Sequence, residues 1–179
     1  MPYERMIEEE LEIMEEQLRE PSKSLSRHEI QVPLKSLMHA PITMELGGST
    51  QEAIDLMVAH HVGYVLVVSN QALKGIFGER DVLFKILNHP VGDVTQIPVE
   101  HFMKADPKTL HADDSLDTAI FYMAQGGYRH IPIVDDGNHP VGMVSIRHII
   151  SYLVEHFPQE VLTLPPRPIR EAMHAREGA

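Results

Sequence analysis

Residues 49–68, STQEAIDLMVAHHVGYVLVV, align without a gap on residues 115–134, SLDTAIFYMAQGGYRHIPIV. Ala53 falls on Ala119, Ile54 on Ile120, Met57 on Met123 and Val68 on Val134, a constant shift of 66. Upstream, Pro33-x4-Met38 matches Pro98-x4-Met103 at a shift of 65, and downstream Gly75 matches Gly142 at 67. A drift of one residue at each loop is what surface turns tolerate. This duplication constrains the fold more than any other feature. Each copy is one supersecondary unit that leaves a face uncovered, and two copies in a row can cover each other.

Within each copy the pattern predicts β-α-β-β-α. A short apolar stretch, Pro41 to Leu46 or Pro107 to Leu110, opens the unit as a strand. Ser49/Thr50 and Ser115 are hydroxyl N-caps for helices with apolar residues at helical spacing. The β-branched runs Val62–Val68 and His130–Val134 read as buried strands. Ser69-Asn70-Gln71 and Asp135-Asp136-Gly137-Asn138 turn them into partner strands, Leu73–Phe77 and Val141–Val144. Second helices, Glu79–Asn88 and Ser145–His156, close the units. Their apolar residues spread over roughly 200° of the helical wheel, where covering one core takes about 100°. The surplus implies either a second packed surface, on the other repeat or another subunit, or a deeply buried helix in a monomer.

The division that follows is 1–30, an acidic helix and linker; 31–90, the first repeat; 96–156, the second; and 157–179, a proline-containing tail. Ile7, Leu11, Met14 and Leu18 form one stripe in a glutamate-rich stretch too short to be a stable helix alone. It either docks on the body or a twin helix, or stays a solvated acidic tail. Leu164-Pro165-Pro166-Arg167-Pro168 favours extended chain, which wraps a partner subunit or trails free.

A formal net charge of −11 argues against nucleic-acid or anionic-membrane partners. Cysteine is absent, which excludes disulfides, thiolate zinc sites and cysteine nucleophiles. The glutamates of Met1–Glu20 are unlike a secretory signal, and the apolar run Val62–Val68 is far short of the roughly 20 residues of a membrane span. A cytoplasmic protein is expected. The twelve histidines show no zincin spacing, so no metal site is expected. Gly47-Gly48 and Gly126-Gly127 lack the Gly-Lys-[Ser/Thr] of a phosphate loop, and no nucleophile elbow occurs. An enzyme is not expected.

The Pro-x4-Met lead-in, the β-α-β-β-α unit and a Gly-h-x-[Ser/Thr]-x-x-[Asp/Asn] turn together resemble the cystathionine-β-synthase (CBS) domain. Gly75-Ile-Phe-Gly-Glu-Arg-Asp81 and Tyr128-Arg-His-Ile-Pro-Ile-Val134 are typical phrases of it. Covering about Val32 to His156, the tandem looks like a CBS pair, or Bateman module. The resemblance implies an α/β fold with pseudo-twofold symmetry and two clefts between the repeats. It further implies adenosine-containing ligands (AMP, ADP, ATP or S-adenosylmethionine), disc-like dimers joined through helices, and a regulatory role.

In that family the glycine-led turn opens the second helix. Its carboxylate accepts both ribose hydroxyls, and its hydroxyl and free N–H groups meet phosphate. Here each copy departs once. Gly75-Ile-Phe-Gly78-Glu-Arg-Asp81 keeps the carboxylate but has glycine at the hydroxyl position. Gly142-Met-Val-Ser145-Ile-Arg-His148 keeps the hydroxyl but has histidine at the carboxylate position. The resemblance therefore implies a cleft with ribose on Asp81 and phosphate on Ser145, near Gly78 and Arg80 or Arg147. Adenine would lie against Thr109 and Leu110, flanked by Tyr64 and Val65. The other cleft would hold Thr43, Arg129, His130 and His148. A carboxylate at a helix start is also favoured by the helix dipole, with no ligand needed. The functional expectation is a homodimer that senses an adenosine-containing ligand and signals to a partner protein. The alternative is an interaction scaffold with vestigial clefts.

Overall fold

The computed structural model describes residues 31–87 and 93–158. The expected acidic helix, the polar linker and the proline-containing tail lie outside these residues. Residues 30–152 make up one compact unit, and the end of the last helix belongs to a second.

The first repeat runs β1 (Thr43–Glu45), α1 (Thr50–His60), β2 (Tyr64–Ser69), β3 (Ala72–Gly78) and α2 (Glu79–Asp81), which continues as a π-helical turn, Val82–Ile86. After β4 (Lys104–Ala105), the second repeat runs α3 (Leu116–Gly126), β5 (His130–Val134), β6 (Pro140–Ser145) and α4 (Ile146–His156). One sheet has the order β1-β2-β3-β4, with β1 parallel to β2 and the other pairs antiparallel. The other is the β5-β6 hairpin.

The α/β fold expected from the repeat is present, with instructive differences between the copies. Ser49 caps α1 by accepting the Glu52 N–H at 3.1 Å, as its position predicts. Ser115 stands at the same position of α3 but turns its hydroxyl to Asp117 and Thr118, leaving no side-chain cap. The expected opening strand at Pro107–Leu110 shrinks to a single parallel bridge, Leu110 to Ile133. Proline explains the loss. In the first repeat the Leu66 N–H donates to the Ile42 carbonyl at 2.9 Å. The counterpart of Leu66 is Pro132, which has no N–H to donate on that edge.

The conserved spacing of Pro-x4-Met acquires a structural meaning here, because each lead-in serves the opposite repeat. Pro33 pairs with Ser115 at the start of α3, and Pro98 pairs with Ser49 at the start of α1. Lys104–Ala105 follow Met103 and extend the first sheet by pairing with Ile76 and Gly75. His39 follows Met38 and bridges Met143 in β6. Val99 lies wholly buried in the core of the first repeat, among Met44, Ala53, Met57, Val67 and Phe77. Leu34, its counterpart, is equally buried. Between the hairpins a second cluster of Tyr64, Leu66, Leu73, Val134 and Met143 joins the copies. Asn138 seals it by donating its amide to the Leu73 carbonyl at 3.0 Å and accepting the Leu73 N–H on its own carbonyl at 2.9 Å.

Of the apolar residues expected to be surplus on the second helices, Ile86 and Ile149 are buried while Leu83, Phe84, Leu87, Ile146 and Ile150 are exposed. Among the described residues no helix is long and apolar enough to cross a membrane.

The exchange is directly testable at its glycines. A Cβ on Gly75 would stand 2.3 Å from Met103 Sδ and 3.0 Å from the Lys104 carbonyl oxygen, and one on Gly142 2.6 Å from Met38 Sδ. Gly75→Ala is expected to lower stability by about 1–3 kcal/mol in urea titration. Combining it with Met103→Ala should cost less than the sum of the two changes, because both relieve or create the same contact.

Candidate ligand-binding cleft

The exchange of lead-ins brings β4 and the start of β5 to the end of the β2–β3 hairpin, and a cavity of about 230 Å³ opens there. Gly63, Tyr64 and Gly78 line its hairpin side, with Glu79, Arg80 and Asp81 of α2 beside them. Lys104, Tyr128, Arg129 and His130 line the side contributed by the second repeat.

Asp81 is the most constrained of these groups. One carboxylate oxygen accepts the Gly78 N–H at 3.0 Å, and the other pairs with Lys85 Nζ at 2.7 Å. Lys85 also donates to the Phe102 carbonyl at 2.5 Å. A single ammonium thus ties the carboxylate of the first repeat to the lead-in of the second. Glycine at position 78 has a local cause. A Cβ there would meet the Gly63 carbonyl oxygen at 3.0 Å, and that carbonyl also accepts the Glu79 N–H.

The second repeat builds the same corner from different groups. The Ser145 N–H donates to His148 Nδ1 at 3.4 Å, and the His148 N–H donates to Ser145 Oγ at 3.3 Å. His148 thus does as an imidazole what Asp81 does as a carboxylate. The Ser145 hydroxyl is engaged at the helix start, and the residue is 5% exposed. The His39 ring, on the counterpart of Lys104, lies 3.8 Å from the His148 ring, centre to centre. Two imidazoles meet at this corner, where the first repeat has a carboxylate beside a cavity.

The expected site residues divide accordingly. Tyr64, Gly78, Arg80 and Asp81 line one cavity, together with Arg129 and His130, which the sequence reading assigned to the other cleft. Thr109, Leu110, Val65, Ser145, Thr43 and His148 do not line it. Val65 is fully buried and Leu110 nearly so, both facing the core, and Thr43 is exposed on β1. Sequence reasoning overlooked Lys104, Tyr128, His39 and Lys85. The signals were present: Lys104 and His39 directly follow the repeated methionine, and Lys85 is four residues beyond Asp81.

Burial sets the proton affinities. It raises the Tyr64 phenol, whose hydrogen bond to the Ile42 backbone pulls the other way. It lowers His130, and the Arg129 charge lowers it further. His148 falls to about 4, first through burial and then through the charges of His39, His130 and Arg147. A second proton on His148 would also occupy the Nδ1 lone pair that accepts the Ser145 N–H.

The family model of the CBS domain matches residues 34–88 and again 99–155. The chain belongs to the CBS-domain family. A relative described as an uncharacterized 17.7 kDa protein of Acidianus ambivalens is 31% identical over 105 residues, which span 58% of this chain and 62% of that one. Among solved structures, the CBS domain pair of protein MJ0100, in complex with 5′-methylthioadenosine and S-adenosylmethionine, superposes with a TM-score of 0.61 at 24% identity. It covers 68% of this chain and 99% of that one. The CBS domain protein PAE2072 of Pyrobaculum aerophilum, complexed with AMP, gives 0.61 at 19% identity, covering 69% and 99%. These likenesses establish the fold of the CBS pair. Its two turns differ from each other in the way described above.

The sign of the pH dependence follows from His148. The folded CBS pair holds it neutral down to about 4, whereas the unfolded chain takes up the proton near 6.5. Between these values the unfolded state binds more protons, so stability falls as pH drops from about 6.5 and levels off near 4. His130 contributes with the same sign. Urea titrations at pH 7, 6, 5 and 4.5 should show this decline. His148→Asn, which keeps an acceptor for the Ser145 N–H without titrating, should reduce it to the part that His130 contributes.

Proposed function

We propose that this CBS pair is a non-enzymatic regulatory module that binds an adenosine-containing ligand in the cleft at Asp81 and relays its occupancy to a partner protein. The observation that carries this reading is the setting of Asp81. Its carboxylate borders a cavity, is about one-fifth exposed, and is held on one side by a mobile type of counterion, the half-exposed Lys85. Ribose hydroxyls can take that carboxylate as charge-assisted donors. The complexes of MJ0100 with S-adenosylmethionine and 5′-methylthioadenosine, and of PAE2072 with AMP, supply the ligand class.

Lys85 gives the ligand a route to the rest of the fold. A ribose on Asp81 competes with Lys85, and Lys85 is also bonded to the Phe102 carbonyl beside β4. Occupancy of the cleft is thereby linked to the segment that joins the repeats. The exposed Leu83, Phe84 and Leu87, beside an apolar groove of about 730 Å³ lined by Ile54, Met57, Val58 and Val82, supply a surface for a second copy of the chain. A cytoplasmic homodimer that burdens no catalytic group belongs to this reading. A scaffold role is favoured by a different observation: Asp81 and Ser145 are both satisfied internally, and His148 in the second corner is already engaged by Ser145 and the His39 ring.

Isothermal calorimetry with AMP, ADP, ATP and S-adenosylmethionine separates the two. A ligand should bind with one site per chain, and Asp81→Asn, which keeps an acceptor for the Gly78 N–H, should weaken it at least tenfold, the scale of one charge-assisted hydrogen bond. If no adenosine compound binds at millimolar concentration, the scaffold reading stands instead. Sedimentation should show a dimer burying on the order of 1,200–2,000 Å². Leu83→Glu combined with Phe84→Glu should yield monomers, and a wild-type monomer at high micromolar concentration would remove the dimer from the proposal.

A further inference from the structure

Two cavities of the first repeat share a wall. Glu79 lines both the cleft at Asp81 and the apolar groove of about 730 Å³. Beyond Glu79 the segment divides: Arg80 and Asp81 line the cleft, and Val82 and Leu83 line the groove. The backbone changes character at the same point. A single α-helical turn, Glu79–Asp81, passes directly into the π-helical turn Val82–Ile86, where the Leu87 N–H donates to the Val82 carbonyl at 3.0 Å. A π-helix takes an extra residue into each turn; it is rare and appears mostly as single turns, frequently at functional sites. Lys85 sits inside this one. Its ammonium is held by two partners at once, the Asp81 carboxylate at 2.7 Å and the Phe102 carbonyl at 2.5 Å. An i,i+4 ion pair fits an α-helix equally well, so the second partner, on the lead-in of the other repeat, is what commits Lys85 to one orientation. The second repeat has Tyr152 at the place of Lys85, with no ammonium to offer, and its α4 is α-helical throughout Ile146–His156.

We propose that the π turn is one of two settings of this helix, held by Lys85, and that releasing Lys85 from Asp81 and Phe102 lets the turn wind into α-helix and re-aims the apolar residues beside the groove. In the α setting the Leu87 N–H donates to the Leu83 carbonyl instead of the Val82 carbonyl. Dropping one residue from the turn rotates the chain after it against the chain before it by about 100°, one residue's share of an α-helical turn. Leu87 therefore moves relative to Leu83 and the groove. These two residues and Phe84 are the exposed apolar surface of the helix, each more than half exposed. The inference deepens the functional reading above, since it supplies the step from cleft to surface, and it rests on that reading only for what releases Lys85. A group that takes the Asp81 carboxylate competes with the ammonium. It binds the α setting more tightly and shifts the two populations by that difference.

Nuclear magnetic resonance couplings measured across hydrogen bonds in the isotope-labelled full-length chain report which carbonyl accepts the Leu87 N–H, so the test needs no ligand. Wild type should show Val82 as the acceptor. Lys85→Met, checked for folding by circular dichroism and melting, should show Leu83 in its place, and Lys85→Arg, which keeps a donor for both partners, should retain Val82. Asp81→Asn, which removes the charged partner but keeps an acceptor for the Gly78 N–H, should populate the Leu83 pairing alongside the Val82 one. If Lys85→Met leaves Leu87 bonded to Val82, the tether does not hold the turn and the inference fails. It fails equally if Lys85→Arg winds the turn as Lys85→Met does, because a charged donor at this position is then not what matters. If Lys85→Met winds the turn but no adenosine compound binds to wild type at millimolar concentration, the switch stands and the adenosine reading of its trigger falls.

Discussion

The structure depends on an exchange: each repeat's lead-in segment completes the other repeat. Val99, from the second lead-in, is buried in the core of the first copy, and Leu34, its counterpart, is fully buried with its N–H donated to the Asp114 carbonyl of the second copy. Met103 packs over Gly75 and Met38 over Gly142 at distances that leave no room for a side chain on either glycine. Neither copy then has a complete core of its own. Small domains are limited by how much apolar surface they can bury, and interlocking two of them raises that fraction for both. The paired Pro-x4-Met and glycine positions are the two halves of one steric contact.

The same exchange creates the cleft. Lys104 arrives at the first hairpin only because β4 adds to β3, and His39 reaches β6 by the equivalent route. The two corners are therefore built on one plan and differ in their side chains, beyond glycine at 78 against serine at 145. Asp81 and Lys104 stand in one, His148 and His39 in the other. With a carboxylate held by lysine, the first corner stays open and charged. In the second, two imidazoles lie tilted against each other, and burial keeps His148 neutral far below its ordinary range. Near-symmetry of backbone thus coexists with asymmetry of chemistry. A ligand that needs a carboxylate and cations finds them together in the first corner.

The order of elements was legible because hydrophobic period and turn residues act locally. Val62–Val68 could be read as a buried strand from its β-branched run, and β2 occupies Tyr64–Ser69. What misled was also local. Pro107–Leu110 has the composition of a strand, but Pro132, in a different element, removes the donor that would pair with it. Ser115 has the residue type of an N-cap, but Asp117 two positions later takes its hydroxyl. The lining of the candidate cavity was legible in part. Asp81, Arg80 and Tyr64 fall on one cavity because the motif places them on adjoining elements. Val65 and Leu110 were expected to face a ligand and face the core instead, since strand alternation relative to a neighbouring layer is set by packing.

By itself the sequence determined the duplication, the α/β pattern of each copy, and the single carboxylate and single hydroxyl divided between the two turns. These are properties of residue type and spacing, which survive without knowing what lies opposite. Tertiary structure alone decided that Arg129, His130 and Lys104 share a cavity with Asp81, and that the His39 ring lies tilted against that of His148. Residues 23 to 109 positions apart along the chain meet there. No periodicity along the chain records that meeting, because it is fixed by which copy's core each buried side chain enters.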